Sequence, residues 1–154
     1  MYSRQETSRV KKAFWTSFGQ YMKPIPSAWK EKVNWLNYRT GVKAIFFRMH
    51  ADNKQASIGI ELTQDDETIR HLAFEKMQLL KAMLEEATGE VWEWHLERFD
   101  EHGKAISIIS ISLPNISLIR QEDWPALISF FKPRIIALDA FWSDAKDIIE
   151  MQLQ

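Results

Sequence analysis

The stretch GEVWEWHLERFDEHGK, residues 89–104, packs more groups able to do chemistry into a short span than its surroundings do. Glu93, His95 and Glu97 alternate there with Trp92, Trp94 and Leu96, and His102 follows. A carboxylate–imidazole–carboxylate row is a donor set for a metal ion. On a strand the three groups share one face, because side chains alternate with period two. Successive positions on that face lie about 6.6 Å apart, which puts Glu93 and Glu97 roughly 13 Å apart. Such a row does not close on one ion whose ligand bonds are near ~2 Å. It reads instead as the solvated side of a strand whose other side is Trp-Trp-Leu, with His102 on the turn, and no metal is expected.

A second set is Asp52 and Glu61. Magnesium-dependent nucleases hold the metal with an acid before one strand and a Glu-x-Lys on the next, the lysine helping to activate water. Asp52 falls in an expected turn and Glu61 on the strand after it, but Thr63 stands where the lysine belongs. A divergent nuclease using Asp52 and Glu61 is therefore the alternative. It requires the two carboxylates to converge on one ion. The competing expectation is that Asp52 serves the turn and Glu61 takes an ion pair or faces water. His50 and His71 form no pair at metal-ligand spacing, and no HExxH is present. There is no G-x-S-x-G elbow and no glycine-rich phosphate loop. The absence of cysteine removes thiolate sites and cysteine nucleophiles. Neither a catalytic residue nor a cofactor is expected from these patterns.

What remains is binding. Lys11, Lys12, Lys23, Lys30, Lys32, Arg39 and Lys43 are interleaved with Trp15, Tyr21, Trp29, Trp35 and Tyr38. Cations meet phosphates and flat rings stack on bases, so the mixture suits single-stranded nucleic acid. It suits a protein partner or a second copy of the chain equally well, because Trp, Tyr and Arg concentrate in interface hot spots. The candidate contact surface is Lys11, Lys12, Lys30, Lys32, Trp35, Tyr38, Arg39 and Lys43. The net charge of −1 conceals a segregation. Residues 1–54 hold eleven Lys/Arg against three Asp/Glu; residues 55–154 hold nine against eighteen. The plainer expectation is that the basic part packs across the acidic one. The sharper one is an exposed basic face.

The elements that must position these groups follow from periodicity. Val10, Phe14, Phe18 and Tyr21 recur at helical spacing, predicting a helix from about residue 4 to residue 22, ended by Lys23-Pro24. Residues 28–41 fit a short helix through Trp29, Val33 and Leu36 or a strand at Trp35–Tyr38. Ile45, Phe47 and Met49, the turn ADNK, then Ile58, Ile60 and Leu62 make a hairpin with one apolar and one mixed face. A helix of roughly 22 residues follows, capped by Asp65 or Asp66 and ended at Gly89. Its buried stripe is expected at Ile69, Leu72, Ala73, Leu80, Met83, Leu84 and Ala87. A second hairpin spans the tryptophan-rich stretch and KAISIISISL, whose apolar phase slips from Ile106 and Ile108 to Ile109, Ile111 and Leu113. The slip predicts a bulge or a strand buried on both faces. A helical region starts near Asp123-Trp124-Pro125 and is expected to break or kink at Lys132-Pro133.

The order α-ββ-α-ββ-αα predicts an α+β fold, a mainly antiparallel sheet of about four strands covered by helices, in a single domain over residues 1–154. AFWTSFGQYM, IGIEL, GEVWEW and EDWPALISFFKPRI occur in that order. Together they resemble the bacterial family catalogued as domain of unknown function four-two-six-eight, over about residues 10–150. The resemblance implies no established activity. It does imply relatives that stand alone or form the C-terminal part of larger chains with nuclease-like domains, a context near nucleic acid. The N-terminus lacks the apolar core of a secretory signal, and no apolar run approaches the ~20 residues of a membrane span. A cytoplasmic, non-catalytic accessory or interaction module is expected, without a membrane partner. A purely structural homodimer is a further alternative.

Overall fold

The structure is a computed structural model and describes residues 3–154. Its elements are α1 (Arg4–Met22), β1 (Ile45–Ala51), β2 (Gln55–Leu62), α2 (Glu67–Gln78), α3 (Lys81–Thr88), β3 (Glu93–Phe99), β4 (Ala105–Pro114), a 3-10 turn (Gln121–Asp123) and α4 (Trp124–Gln152). The four strands form one antiparallel sheet in the order β1-β2-β4-β3. This is the α+β arrangement that the periodicity predicts.

One face of the sheet carries Ile45 and Phe47 from β1, Ile58, Ile60 and Leu62 from β2, and Ile109 from β4. These pack with Phe14, Phe18 and Met22 of α1, Phe74 and Met77 of α2, Leu84 of α3, and Phe131, Ile135, Leu138 and Trp142 of α4. The strand alternation sends Phe46, Arg48, His50, Ser57, Gly59, Glu61 and Ile108 to the opposite face. That face is open to solvent at Phe46, Arg48 and His50.

Local chemistry explains most boundaries. Ser3 accepts from the Glu6 amide at the start of α1, and Asp66 accepts from the Ile69 amide at the start of α2. Gly89, at φ 71°, ends α3 in the left-handed conformation that a side chain disfavours.

Several local expectations are corrected. The expected long helix is two, α2 and α3. Leu79 and Leu80 donate to the carbonyls three residues back, Lys76 and Met77, which tightens the turn and re-aims the axis. Its buried stripe is also rotated: Arg70, Ala73, Phe74 and Met77 are buried, whereas Ile69 and Leu72 are exposed. The C-terminal helix runs unbroken through Pro133. Phe130, Phe131, Ile135 and Leu138 are buried on either side of the proline, and that packing outweighs one lost backbone hydrogen bond. The register shift lies between His95 and Arg98 of β3, where Leu96 and Glu97 together oppose Ser107. β4 itself is not bulged, since it pairs with β2 without a shift from Ser107 to Pro114. Its apolar phase slips because Ile106 and Ile108 lie on the open face while Ile109, Ile111 and Leu113 lie on the helix side, so the strand is apolar on both faces. Finally, residues 28–41 form neither helix nor strand but a series of turns.

Among the described residues, no helix is long and apolar enough to cross a membrane.

Candidate functional site

Two surfaces concentrate chemistry, the irregular segment before β1 and the open face of the sheet. The first begins with a tight turn. The Ser27 amide donates to the Glu31 carbonyl and the Lys30 amide to the Ser27 carbonyl, both at 2.9 Å, and the Glu31 amide donates to Ser27 Oγ at 3.2 Å. Trp29 and Lys30 form its tip. Lys30 is held at φ 65°, a left-handed conformation that costs a side-chain-bearing residue about 1–2 kcal/mol. Trp29 is 70% exposed.

What holds this turn is Asp139 of α4, a buried carboxylate. Its Oδ2 accepts from the Ala28 amide at 2.7 Å and its Oδ1 from the Tyr38 hydroxyl at 2.5 Å. Burial, and then the bond to Asp139, keep the Tyr38 hydroxyl protonated far above the ordinary tyrosine range. Trp35 Nε1 donates to the Ile25 carbonyl, and Trp142 Nε1 to the Thr40 carbonyl. The segment is thereby fastened at four points while its tip stays free. Trp29, Lys32, Arg39 and Lys146 line one cavity of about 630 Å³ there, which also holds Glu31 and Asp147.

The eight expected contact residues do not share one role. Lys12, Lys30, Lys32, Arg39 and Lys43 are exposed and Lys11 is half-buried. Trp35, only 3% exposed, belongs to the core, and Tyr38 stacks on Phe47 at 4.9 Å. Neither ring is free to stack on a base. They fasten the segment, and the exposed ring is Trp29. Lys43 lines a different hollow, beside Asp65 and Glu150. The basic part does pack across α4, through Phe14, Phe18, Ala28 and Tyr38, but not by ion pairing. Of the eleven Lys/Arg in residues 1–54, Arg48 alone lies within ion-pair distance of a carboxylate among the described residues.

On the open face, Glu61 is 5% exposed. Its Oε1 accepts from Arg48 Nη1 at 2.9 Å, and its Oε2 meets His50 Nε2 at 2.8 Å. His50 pairs across the ladder with Ser57, four residues from Glu61. The residue between those two on this face of β2 is Gly59, so no β2 side chain stands between the imidazole and the carboxylate. Burial of Glu61 opposes its ionisation, but the hydrogen bonds and charges of His50 and Arg48 outweigh this and hold its pKa below the usual value. The hydrogen bond to Glu61, opposed by partial burial, raises the pKa of His50.

The carboxylate sets considered as metal ligands are not assembled. Asp52 Oδ1 accepts from the Lys54 and Gln55 amides and closes the hairpin turn. Glu61 pairs with Phe46, five positions along the ladder from the Ala51–Ala56 pair, roughly 17 Å at ~3.4 Å per residue. The two carboxylates do not converge on one ion. In β3 the bulge parts the other row: Glu97 turns to Arg70 at 3.1 Å, while Glu93 faces His95 at 3.4 Å.

A family model described as Domain of unknown function (DUF4268) matches residues 10–146. The chain belongs to this family. No curated protein and no solved structure matches it. In this DUF4268 chain the fastening residue Asp139 and the Glu61–His50 pair escape a reading by motif. Asp139 sits within an apolar helix stripe, and His50 meets Glu61 on a diagonal that no local spacing encodes. The signals available in the sequence were a lone acid among core positions and two titratable residues on the mixed face of one hairpin.

Proposed function

We propose that this chain is a non-catalytic interaction module that binds single-stranded nucleic acid through the turn at Trp29–Lys30 and the cations around it. The observation that carries the proposal is an exposed indole beside Lys30, Lys32 and Arg39, none of which has a carboxylate partner among the described residues. Phosphates would replace the missing counter-charges, and the indole would stack on a base. The strain at Lys30 fits a tip held in place for contact, because a left-handed lysine persists only where its surroundings over-determine it. Asp139 and Tyr38 supply that over-determination from beneath.

The test is a gel-shift with labelled single-stranded DNA and RNA at low salt, with and without Mg²⁺. Retardation without cleavage is expected, and it should be lost in the triple variant Lys30→Glu, Lys32→Glu, Arg39→Glu with the circular dichroism unchanged. Retention by the triple variant would remove this surface from consideration. Metal-dependent cleavage would make the protein a nuclease. No retardation at all would move the partner to the protein class.

A further inference from the structure

We propose that the open face of the sheet is a second site, independent of the Trp29 turn, that binds a flat aromatic ring carrying one carboxylate or phosphate group. The site is built on Glu61. This carboxylate spends both oxygens on Arg48 and His50, and so fixes two otherwise mobile side chains at the mouth of one cavity of about 760 Å³. Each keeps donors in reserve. Arg48 uses Nη1 alone, and among the described residues its Nε and Nη2 have no polar partner. The Nδ1 of His50 has none either. An anion held by these donors forms charge-assisted bonds with groups whose orientation is already paid for.

The rest of the lining says what the anion is attached to. The floor and walls include Phe46, Phe99, Ile106 and Ile108. Ile106 is buried but lies outside the core cluster on the helix side. The guanidinium of Arg48 lies 4.3 Å over the Phe46 ring, so the cation and the aromatic surface form one continuous wall. Phe99 is exposed at the opposite rim. An oxyanion alone would use the donors and leave the apolar surface wet, whereas a flat ring beside it covers both.

The neighbouring acids do not cancel the site. Asp100 is turned onto its own hairpin, accepting from the His102 and Lys104 amides at 2.8 and 2.9 Å. Glu101 extends into solvent within 3.7 Å of His102, and Lys104 pairs with Asp65. The groups facing His50 are therefore Arg48 and Glu61 on its own hairpin and Glu101, His102 and Lys104 on the β3–β4 turn. With His50 protonated, the Arg48–Glu61–His50 set carries one net positive charge. That charge is present at low pH and is lost as pH rises through the raised pKa of His50, so affinity should fall in the same direction.

The experiment is calorimetric titration of the full chain with benzoate and with phenyl phosphate, and with acetate and inorganic phosphate as ring-free controls. Expected are binding of at least one aromatic probe at millimolar concentration or below, and controls weaker by about tenfold or more. Arg48→Met should lower the aromatic affinity by about tenfold. The affinity for benzoate, whose charge is constant near neutrality, should fall as pH rises through the raised pKa of His50 in the wild type and stay flat in His50→Gln. Binding of neither aromatic probe, equal binding of the ring-free controls, or undiminished binding by Arg48→Met would each overturn the proposal. Should Arg48→Met fail to fold, the His50 ring resonances of the wild type decide it, because unmoved resonances on addition of benzoate would also overturn it.

Discussion

Arg70 carries a full charge into the core, and the bulge in β3 is what receives it. Its side chain is 2% exposed. Nη1 donates to the Leu96 carbonyl at 2.7 Å and to Ser107 Oγ at 3.0 Å, and Nη2 reaches Glu97 at 3.1 Å. The carbonyl that the bulge withdraws from the ladder is thus satisfied by a helix side chain, as a buried polar group must be. Glu97 is half exposed, so its share in holding the cation is screened. Arg70→Ala should therefore cost about 3 kcal/mol, from the lost charged hydrogen bonds and the space left behind. Glu97→Gln should cost less than about 1 kcal/mol. Urea unfolding of both variants checks this, and equal costs would show that the ion pair, not the bulge, is what Arg70 serves. The sequence carried a legible part of this arrangement: Arg70, Ala73, Phe74 and Met77 lie on one helical stripe. An arginine heading an apolar stripe argues against burial on composition alone, and apolar spacing by itself favours Ile69 and Leu72. The site residues were illegible for a related reason. Glu61 was visible as a mixed-face residue, but the partner that explains it is chosen by a diagonal across the hairpin.

At the scale of elements, the two hairpins, α1 and the stop at Gly89 were readable because each has a local cause in alternation, capping or a left-handed glycine. The break at Leu79–Leu80 was not, since neither residue is a helix breaker and the cause is packing of α2 and α3 against different parts of the core. Pro133 misled in the other direction, as a local rule overridden by burial along α4. Gly59 joins the element scale to the open-face site. It needs no unusual backbone angle, only space. A Cβ there would stand 2.8 Å from the Ile109 carbonyl oxygen and 2.9 Å from the Ser110 Cβ, both on the adjacent central strand. The strands β2 and β4 would have to part at the middle of the sheet. Gly59→Ala should accordingly destabilise by about 1–3 kcal/mol, the range of an overpacked core. It should also disturb the face on which Glu61 and His50 meet. Thermal unfolding followed by circular dichroism measures the first effect. An alanine tolerated at no cost would mean that the close approach of β2 and β4 is not a constraint on the sheet.

The whole molecule is organised by charge more than its net value of −1 suggests. The acidic part of the chain uses much of its charge internally: Glu97 on Arg70, Glu90 on Arg134, Asp65 on Lys104 and Glu150 on Lys146. The basic part contributes only Arg48 to such pairs among the described residues. Its remaining cations meet water, and their self-repulsion is relieved when a polyanion releases its counterions onto them. The segregation was legible in the sequence. That it is left unneutralised was not, because pairing depends on distances between elements far apart in the chain. A quantitative expectation follows for single-stranded DNA at the Trp29 turn. If Lys30, Lys32 and Arg39 each neutralise one phosphate, the logarithm of the binding constant should fall against the logarithm of salt concentration with a slope near −2, at about −0.7 per contact. Stacking on Trp29 is not ionic. Trp29→Ala should therefore weaken binding by about 1–3 kcal/mol, the usual worth of one stacked base, while leaving the slope where it was. Fluorescence anisotropy across a salt series separates the two quantities. A slope near zero would deny the cations their role, and an unchanged affinity in Trp29→Ala would deny the indole its own.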